Sequence, residues 1–171
     1  MKKFFYIFFL FSICLNAQLK TSIVGISLIK HFEGFRAKAY LCPASVPTIG
    51  YGSTRNVHLG MVITERQAEQ LLKEDLVRFE NYVNGIAERL LRQHEFDALS
   101  SFTFNVGYRL NGDLRSSINE GNTRLTVMRI MQYNRARVNG VLTVLSGLTM
   151  RRKAETSLYR NSIPNFISAI Y

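Results

Sequence analysis

The sequence predicts an α+β fold: one helix, a small β region, and a mostly helical lobe joined to it by a long helix. Three features predict it. Apolar residues recur at helical spacing up to Phe32, and turn-rich alternation fills the stretch from Phe35 to Met61. A long amphipathic segment then starts at Thr64 behind a capping box. The chain has 171 residues, 47% of them hydrophobic, which suits one compact domain with a real core.

The first residues read MKKFFYIFFLFSICLNAQ. A basic start at Lys2 and Lys3 precedes an apolar run from Phe4 to Leu15, and Ala17 offers a small residue for cleavage. This is the layout of a signal peptide over residues 1–17, leaving 18–171 as a single domain. The run falls short of the ~20 apolar residues of a membrane span. A retained signal-anchor is the alternative, and the membrane is expected as a partner only through this segment. Export to a periplasmic or extracellular space follows. Cleavage would remove Cys14 and leave Cys42 without an internal disulfide partner, whereas a retained anchor would keep Cys14 available to it.

Ser22 is placed to cap a first helix running to about Phe32, with Ile23, Ile26, Ile29 and Phe32 as its apolar face. Gly34 ends it, which leaves Glu33 in the last turn, where the helix dipole disfavours a negative charge. From Phe35 to Met61 short strands and turns are expected, with Cys42-Pro43-Ala44-Ser45 as a hairpin turn. Gly50 and Gly52 flank Tyr51, permitting a bend or close packing.

Thr64 and Gln67 form the capping box of the long helix, whose apolar face is Ala68, Leu71, Leu72, Leu76, Phe79 and Val83. A further helix is expected from Gln93 to Val106, ended by Gly107. Shorter ones cover 112–119, 123–134 and 146–160. The tail from Ser162 to Tyr171 is apolar enough to dock on the body.

The formal charge is +10, and +8 without Lys2 and Lys3. Such a balance favours an anionic partner. Nucleic acid fits the charge but not the export signal, whereas a bacterial wall fits both. His31, His58 and His94 lack metal-ligand spacing, so no metal or other cofactor is expected. A monomer is expected.

Glu33, Cys42 and Thr48 stand out as chemistry. A partly desolvated glutamate at a helix C-terminus can retain a proton and give it to a leaving oxygen. That is the general acid of glycoside hydrolysis. Cys42 and Thr48, on the two arms of a hairpin, can hold a water.

The stretch is longer than a spacing. Glu33-Gly34-Phe35, Ala39-Tyr40 and Thr48-Ile49-Gly50-Tyr51-Gly52 resemble the signature of the phage-type lysozymes, the muramidase endolysins of glycoside hydrolase family 24. In that family the acid Glu is followed nine residues on by Asp or Cys and six further on by Thr. Glu33, Cys42 and Thr48 match with the cysteine variant. Ala98 to Phe102 with Phe104-Asn105-Val106-Gly107 resembles the family's central helix. Gly147-Leu148, Arg151-Arg152 and Glu155 resemble its C-terminal helix, so the likeness runs roughly from residue 22 to 161.

The resemblance implies a lysozyme-like fold and cleavage of the β-1,4 bond between N-acetylmuramic acid and N-acetylglucosamine in peptidoglycan. Glu33 is then the acid, Cys42 and Thr48 position water, and Phe104 and Asn105 face the sugar across the cleft. Arg151 or Arg152 is expected near Glu33, with at least one of them on a solvated face. Three positions depart from the pattern. Ser53 stands where a histidine is frequent, Tyr133 takes the space of a tryptophan, and Asn139 replaces a glycine before Gly140. A lytic transglycosylase acting on the same bond and an inactive wall-binding protein are the rival readings.

Overall fold

The computed structural model describes residues 18–42, 44–108 and 110–168. The N-terminal segment 1–17 with Cys14, Pro43 in the turn, and the end of the tail lie outside the described residues. No described helix is long and apolar enough to cross a membrane.

The first helix, α1 (Ile23–Glu33), starts where expected: the Ser22 hydroxyl accepts from Val24 N. Its apolar face differs in one place. Ile23 is 63% exposed, while Ile26, Leu28 and Ile29 are buried. The reason lies at the crossing with the helix that begins at Gln93. There Gly25 makes the closest approach, and a Cβ on it would stand 2.9 Å from Asp97 Cβ. That contact rotates Ile23 out to solvent.

Strands β1 (Arg36–Leu41) and β2 (Pro47–Gly50) form the expected hairpin, antiparallel, with Tyr40 opposite Thr48 and Leu41 opposite Pro47. The chain then returns beside β1, with Ala39 N donating to Met61 O and Ile63 N to Ala37 O. Helix α2 (Glu65–Ile86) begins at the predicted capping box. Of its predicted face, Ala68, Leu72, Leu76, Phe79 and Val83 are buried, and Leu71 is half-buried.

Helices α3 (Gln93–Val106), α4 (Gly112–Asn119), α5 (Thr123–Met131) and α6 (Ser146–Tyr159) build the second lobe. The expected helix over 123–134 stops at Met131. Strands β3 (Arg135–Val138) and β4 (Val141–Val144) follow as a second hairpin, which the sequence reading did not anticipate. Its turn is Asn139-Gly140, both at positive φ (49° and 82°), the dihedral pair a two-residue hairpin turn demands. The tail docks as expected through a short helix, α7 (Asn165–Ser168): Ile167 is buried, and Phe166 stacks on His31 at 3.8 Å.

There are two cores. The larger joins Leu28, Val83, Phe96, Phe102, Leu114, Ile130, Leu158 and their neighbours. The smaller joins Ile26, Ile29, Tyr51, Ala68, Leu72 and Leu76. Helices α1 and α2 feed both, so they fix one lobe against the other. Glu33, the last residue of α1, lies where the first hairpin meets the helical lobe.

Candidate active site

Gly34 takes φ +70° and donates its N–H to Lys30 O, closing α1 directly after Glu33. The Glu33 side chain is 24% exposed and receives a 2.7 Å contact on Oε1 from Arg151 Nη1. On its other oxygen the approach is left open by Gly52. A Cβ built there, at φ +97°, would stand 3.9 Å from Glu33 Oε2. Gly52 is held by a tight turn in which Gly52 N and Ser53 N both donate to Ile49 O. Tyr51 anchors that turn, donating its hydroxyl to Glu65 Oε1 at 2.7 Å. Burial and the Glu65 carboxylate push the Tyr51 phenol up to about 12, so it stays a donor.

The structure brings Cys42 and Thr48 together at the closed end of the first hairpin. Cys42 N donates to Val46 O, and Ser45 N to Cys42 O. The Cys42 thiol is held below its ordinary value chiefly by backbone donors, Val46 first and then Ala44. Thr48 is buried, and its hydroxyl donates to Val46 O at 2.9 Å. Its one proton is thereby engaged, which leaves oxygen lone pairs as acceptors.

Neither Arg151 nor Arg152 lies on a solvated face, contrary to the expectation for at least one of them. Both are buried, at 4% and 0% exposure. The cause is Glu155, fully buried one turn further along α6. Its Oε1 accepts from Ser101 Oγ at 2.9 Å and from Arg151 Nε at 3.1 Å. Its Oε2 stands 2.9 Å from Arg152 Nε. Arg152 Nη2 in turn donates to Asn105 Oδ1 at 2.7 Å. A continuous line of polar contacts thus runs from Glu33 through Arg151, Glu155 and Arg152 to Asn105. Sequence reasoning named its ends but missed Glu155 as its centre. The signal was present: arginines three and four residues before a glutamate share one helix face with it.

Asn105 is exposed at the end of α3. Phe104 is half-buried and packs on Phe79 at 5.3 Å between ring centres. Phe104 also packs against the smaller core. Ser53 is buried, and its hydroxyl has no partner among the described residues. Tyr133 packs edge-on against Phe102 at 5.0 Å, filling space beside the larger core. Among the described residues, no group of three or more His, Cys, Asp or Glu could hold a metal ion.

A carboxyl held by a guanidinium at a helix end thus stands beside a hairpin carrying a thiol and a hydroxyl. The family model described as Phage lysozyme matches residues 30–155, and the chain belongs to that family. It is 39% identical over 140 residues to an endolysin of Acyrthosiphon pisum secondary endosymbiont phage 1, covering 81% of this chain and 96% of that protein. It is 33% identical to the endolysin of Salmonella phage P22, covering 83% and 99%. The chain spans 58% of the length of the Bacillus phage PZA endolysin. Among solved structures, an endolysin from Escherichia coli O157:H7 phage FAHEc1 superposes with a TM-score of 0.80 at 34% identity, covering 86% of this chain and 98% of that one. The muramidase domain of SpmX from Asticaccaulis excentricus superposes with a TM-score of 0.78 at 37% identity, covering 82% and 97%. The fold is lysozyme-like, and the protein is an enzyme of the lysozyme class.

Proposed function

We propose that this enzyme hydrolyses the β-1,4 bond between N-acetylmuramic acid and N-acetylglucosamine in bacterial peptidoglycan. The observation that carries the reading is the Glu33 carboxyl, held on one oxygen by Arg151 and open on the other beside Gly52. Glu33 gives its proton through Oε2 to the glycosidic oxygen. Arg151 then stabilises the carboxylate left behind. A water on the opposite face of the sugar is held by the Thr48 oxygen and the Cys42 sulfur. It adds its hydroxyl to the anomeric carbon, and its proton passes to the Cys42 side. An inverting reaction needs room for that water, ~6.5–9.5 Å between the two groups when both are carboxylates. The lowered thiol keeps more of Cys42 as the thiolate, the form that can take a proton, and no covalent sugar–sulfur bond is needed. Asn105 offers its amide to an acetamido group.

Export to the wall compartment is part of the same proposal. A SAR-endolysin of Pseudomonas phage phiKMV is 31% identical over 141 residues, and the chain carries an excess of positive charge suited to an anionic wall. The test is wall lysis by the chain beside Glu33→Gln, which keeps the shape but cannot donate. Lysis is expected to fall to background with the fold intact. Substantial lysis by a folded Glu33→Gln protein would overturn the assignment. Products ending in 1,6-anhydro sugars would replace hydrolysis by transglycosylation.

A further inference from the structure

The turn that borders the open oxygen of Glu33 is gripped from outside by side chains that no step of the reaction uses. Tyr51 Oη and Lys30 Nζ meet on one atom, Glu65 Oε1, at 2.7 Å and 3.3 Å. Lys30 also donates to Glu69 Oε2 at 3.0 Å. We propose that Lys30, Glu65 and Tyr51 are positioning residues, a clamp that fixes the Gly52 backbone against Glu33 and so sets the approach of the glycosidic oxygen to Oε2. The inference rests on the acid reading of Glu33 above and adds the residues that hold its open side.

The clamp joins the three elements that border the site. Lys30 lies on α1 just before Glu33, and Glu65 is the first residue of α2. Tyr51 directly precedes Gly52, and its ring is pinched from two sides. Lys30 Nζ stands 5.4 Å from the ring centre, and the Phe35 ring stands 5.8 Å away between centres. Lys30 and Phe35 flank Glu33 in sequence, so the ring is keyed to the backbone on both sides of the acid. Gly50 completes the seat, since a Cβ there would stand 3.0 Å from Ala68 Cβ on α2. The Glu65 carboxyl is held below its ordinary value, first by the Tyr51 hydroxyl and then by Lys30, so it stays an acceptor for both.

Stability is a poor reason for such a clamp. The Glu65 side chain is 60% exposed, and an ion pair open to water contributes little to folding. What the contacts supply is geometry. The Gly52 backbone forms one wall of the approach to Glu33 Oε2, at the 3.9 Å given by a Cβ built there. A misplacement of about 1 Å at a reacting group can cost on the order of a hundredfold in rate. Tyr51 is the side chain of that turn that reaches α2 with a hydrogen bond, so its hydroxyl sets where the wall stands.

Steady-state kinetics of the full chain on soluble, uncrosslinked peptidoglycan strands test this, with Glu33→Gln as the control. Tyr51→Phe removes the hydroxyl alone. Its kcat per folded molecule is expected to fall about tenfold with KM within about twofold of wild type, and its thermal midpoint to move by only a few degrees. Glu65→Ala should match it. Glu65→Gln should recover most of the rate, because the amide oxygen still accepts from Tyr51. Lys30→Met should also lower kcat, and Lys30→Arg should restore part of it. Tyr51→Phe combined with Glu65→Ala should cost no more than either alone, since both break one contact. A merely structural role leaves kcat per folded molecule unchanged. That result in Tyr51→Phe, Glu65→Ala or Lys30→Met would overturn the proposal, as would additive losses in the double variant. Should Tyr51→Phe fail to fold, the Glu65 and Lys30 variants decide alone. Wild-type kcat in the clamp variants beside an inactive Glu33→Gln would remove the clamp and leave the acid standing. A folded Glu33→Gln that still cleaves would remove the acid reading and the clamp with it.

Discussion

Arg151 Nη1 lies 2.7 Å from Glu33 Oε1, joining α6 to the end of α1 across 118 residues of sequence. The same guanidinium donates to Glu155 Oε1 and to the Ser101 carbonyl. One planar fork therefore reaches three separated partners, a span that the single ammonium nitrogen of a lysine does not match. Arg151→Lys keeps the charge but must abandon some of these contacts. Wall lysis is expected to fall at least about tenfold, with the thermal midpoint shifted by only a few degrees. Wild-type lysis by Arg151→Lys would show that the fork does not position the acid.

Glu155 makes a sharper stability prediction. Its carboxylate stands between two buried guanidiniums. Glu155→Gln leaves Arg152 without a counter-charge and Arg151 with Glu33 alone. Breaking a buried pair in this way costs about 3–5 kcal/mol, far more than an exposed pair is worth. A urea midpoint close to that of the wild type would mean that Arg151 and Arg152 find other partners.

Much of this architecture was legible in the sequence, for local reasons. The Thr64–Gln67 box marked the start of α2, and Gly34 marked the end of α1. Cys42 and Thr48 fell on one hairpin because the segment between them carries turn residues. The β3–β4 hairpin was missed, although Asn139-Gly140 is a strong two-residue turn signal. The helical spacing of the preceding residues masked it. Burial of both arginines was missed for a different reason. Arg151's partners Glu33 and Ser101 and Arg152's partner Asn105 are distant in sequence, so no local pattern reveals that the site closes over them. Ile23 was misassigned because its face is decided by the close approach at Gly25, a tertiary contact.

Acid should weaken the fold through Glu95. Burial pushes this carboxyl up, but the guanidiniums of Arg89 and Arg92 and the Arg92 backbone N–H outweigh it, and the net result is about 2. That is below the ordinary value of 4.5, so the stabilisation is full above about pH 4.5 and is lost as pH falls toward 2. The shift corresponds to about 3 kcal/mol. Chemical denaturation of wild type and Glu95→Gln should differ by roughly that amount at neutral pH. The gap should narrow steadily below pH 4.5. A gap independent of pH would mean that Glu95 acts through packing alone.

Cys42 separates a catalytic thiol from a structural one. It sits at the hairpin turn, only half-buried, with backbone donors and the Thr48 hydroxyl around its sulfur. A thiol held below its ordinary value should react with iodoacetamide at lower pH than a free cysteine does. Modification should abolish lysis, since the added group takes the place of water or sugar. Cys42→Asp should remain active, because a carboxylate supplies an acceptor at the same reach. Cys42→Ala should lose most activity while its thermal midpoint changes little, since a half-exposed turn leaves only a small void. A structural cysteine would behave in the opposite way. Labelling would be slow, Cys42→Asp would unfold from a buried unpaired charge, and Cys42→Ala would lyse walls normally. The labelling rate of the wild type, with the thermal midpoint and lysis of all three proteins, decides between them. A fully active Cys42→Ala protein would leave Thr48 as the sole anchor proposed here for the water.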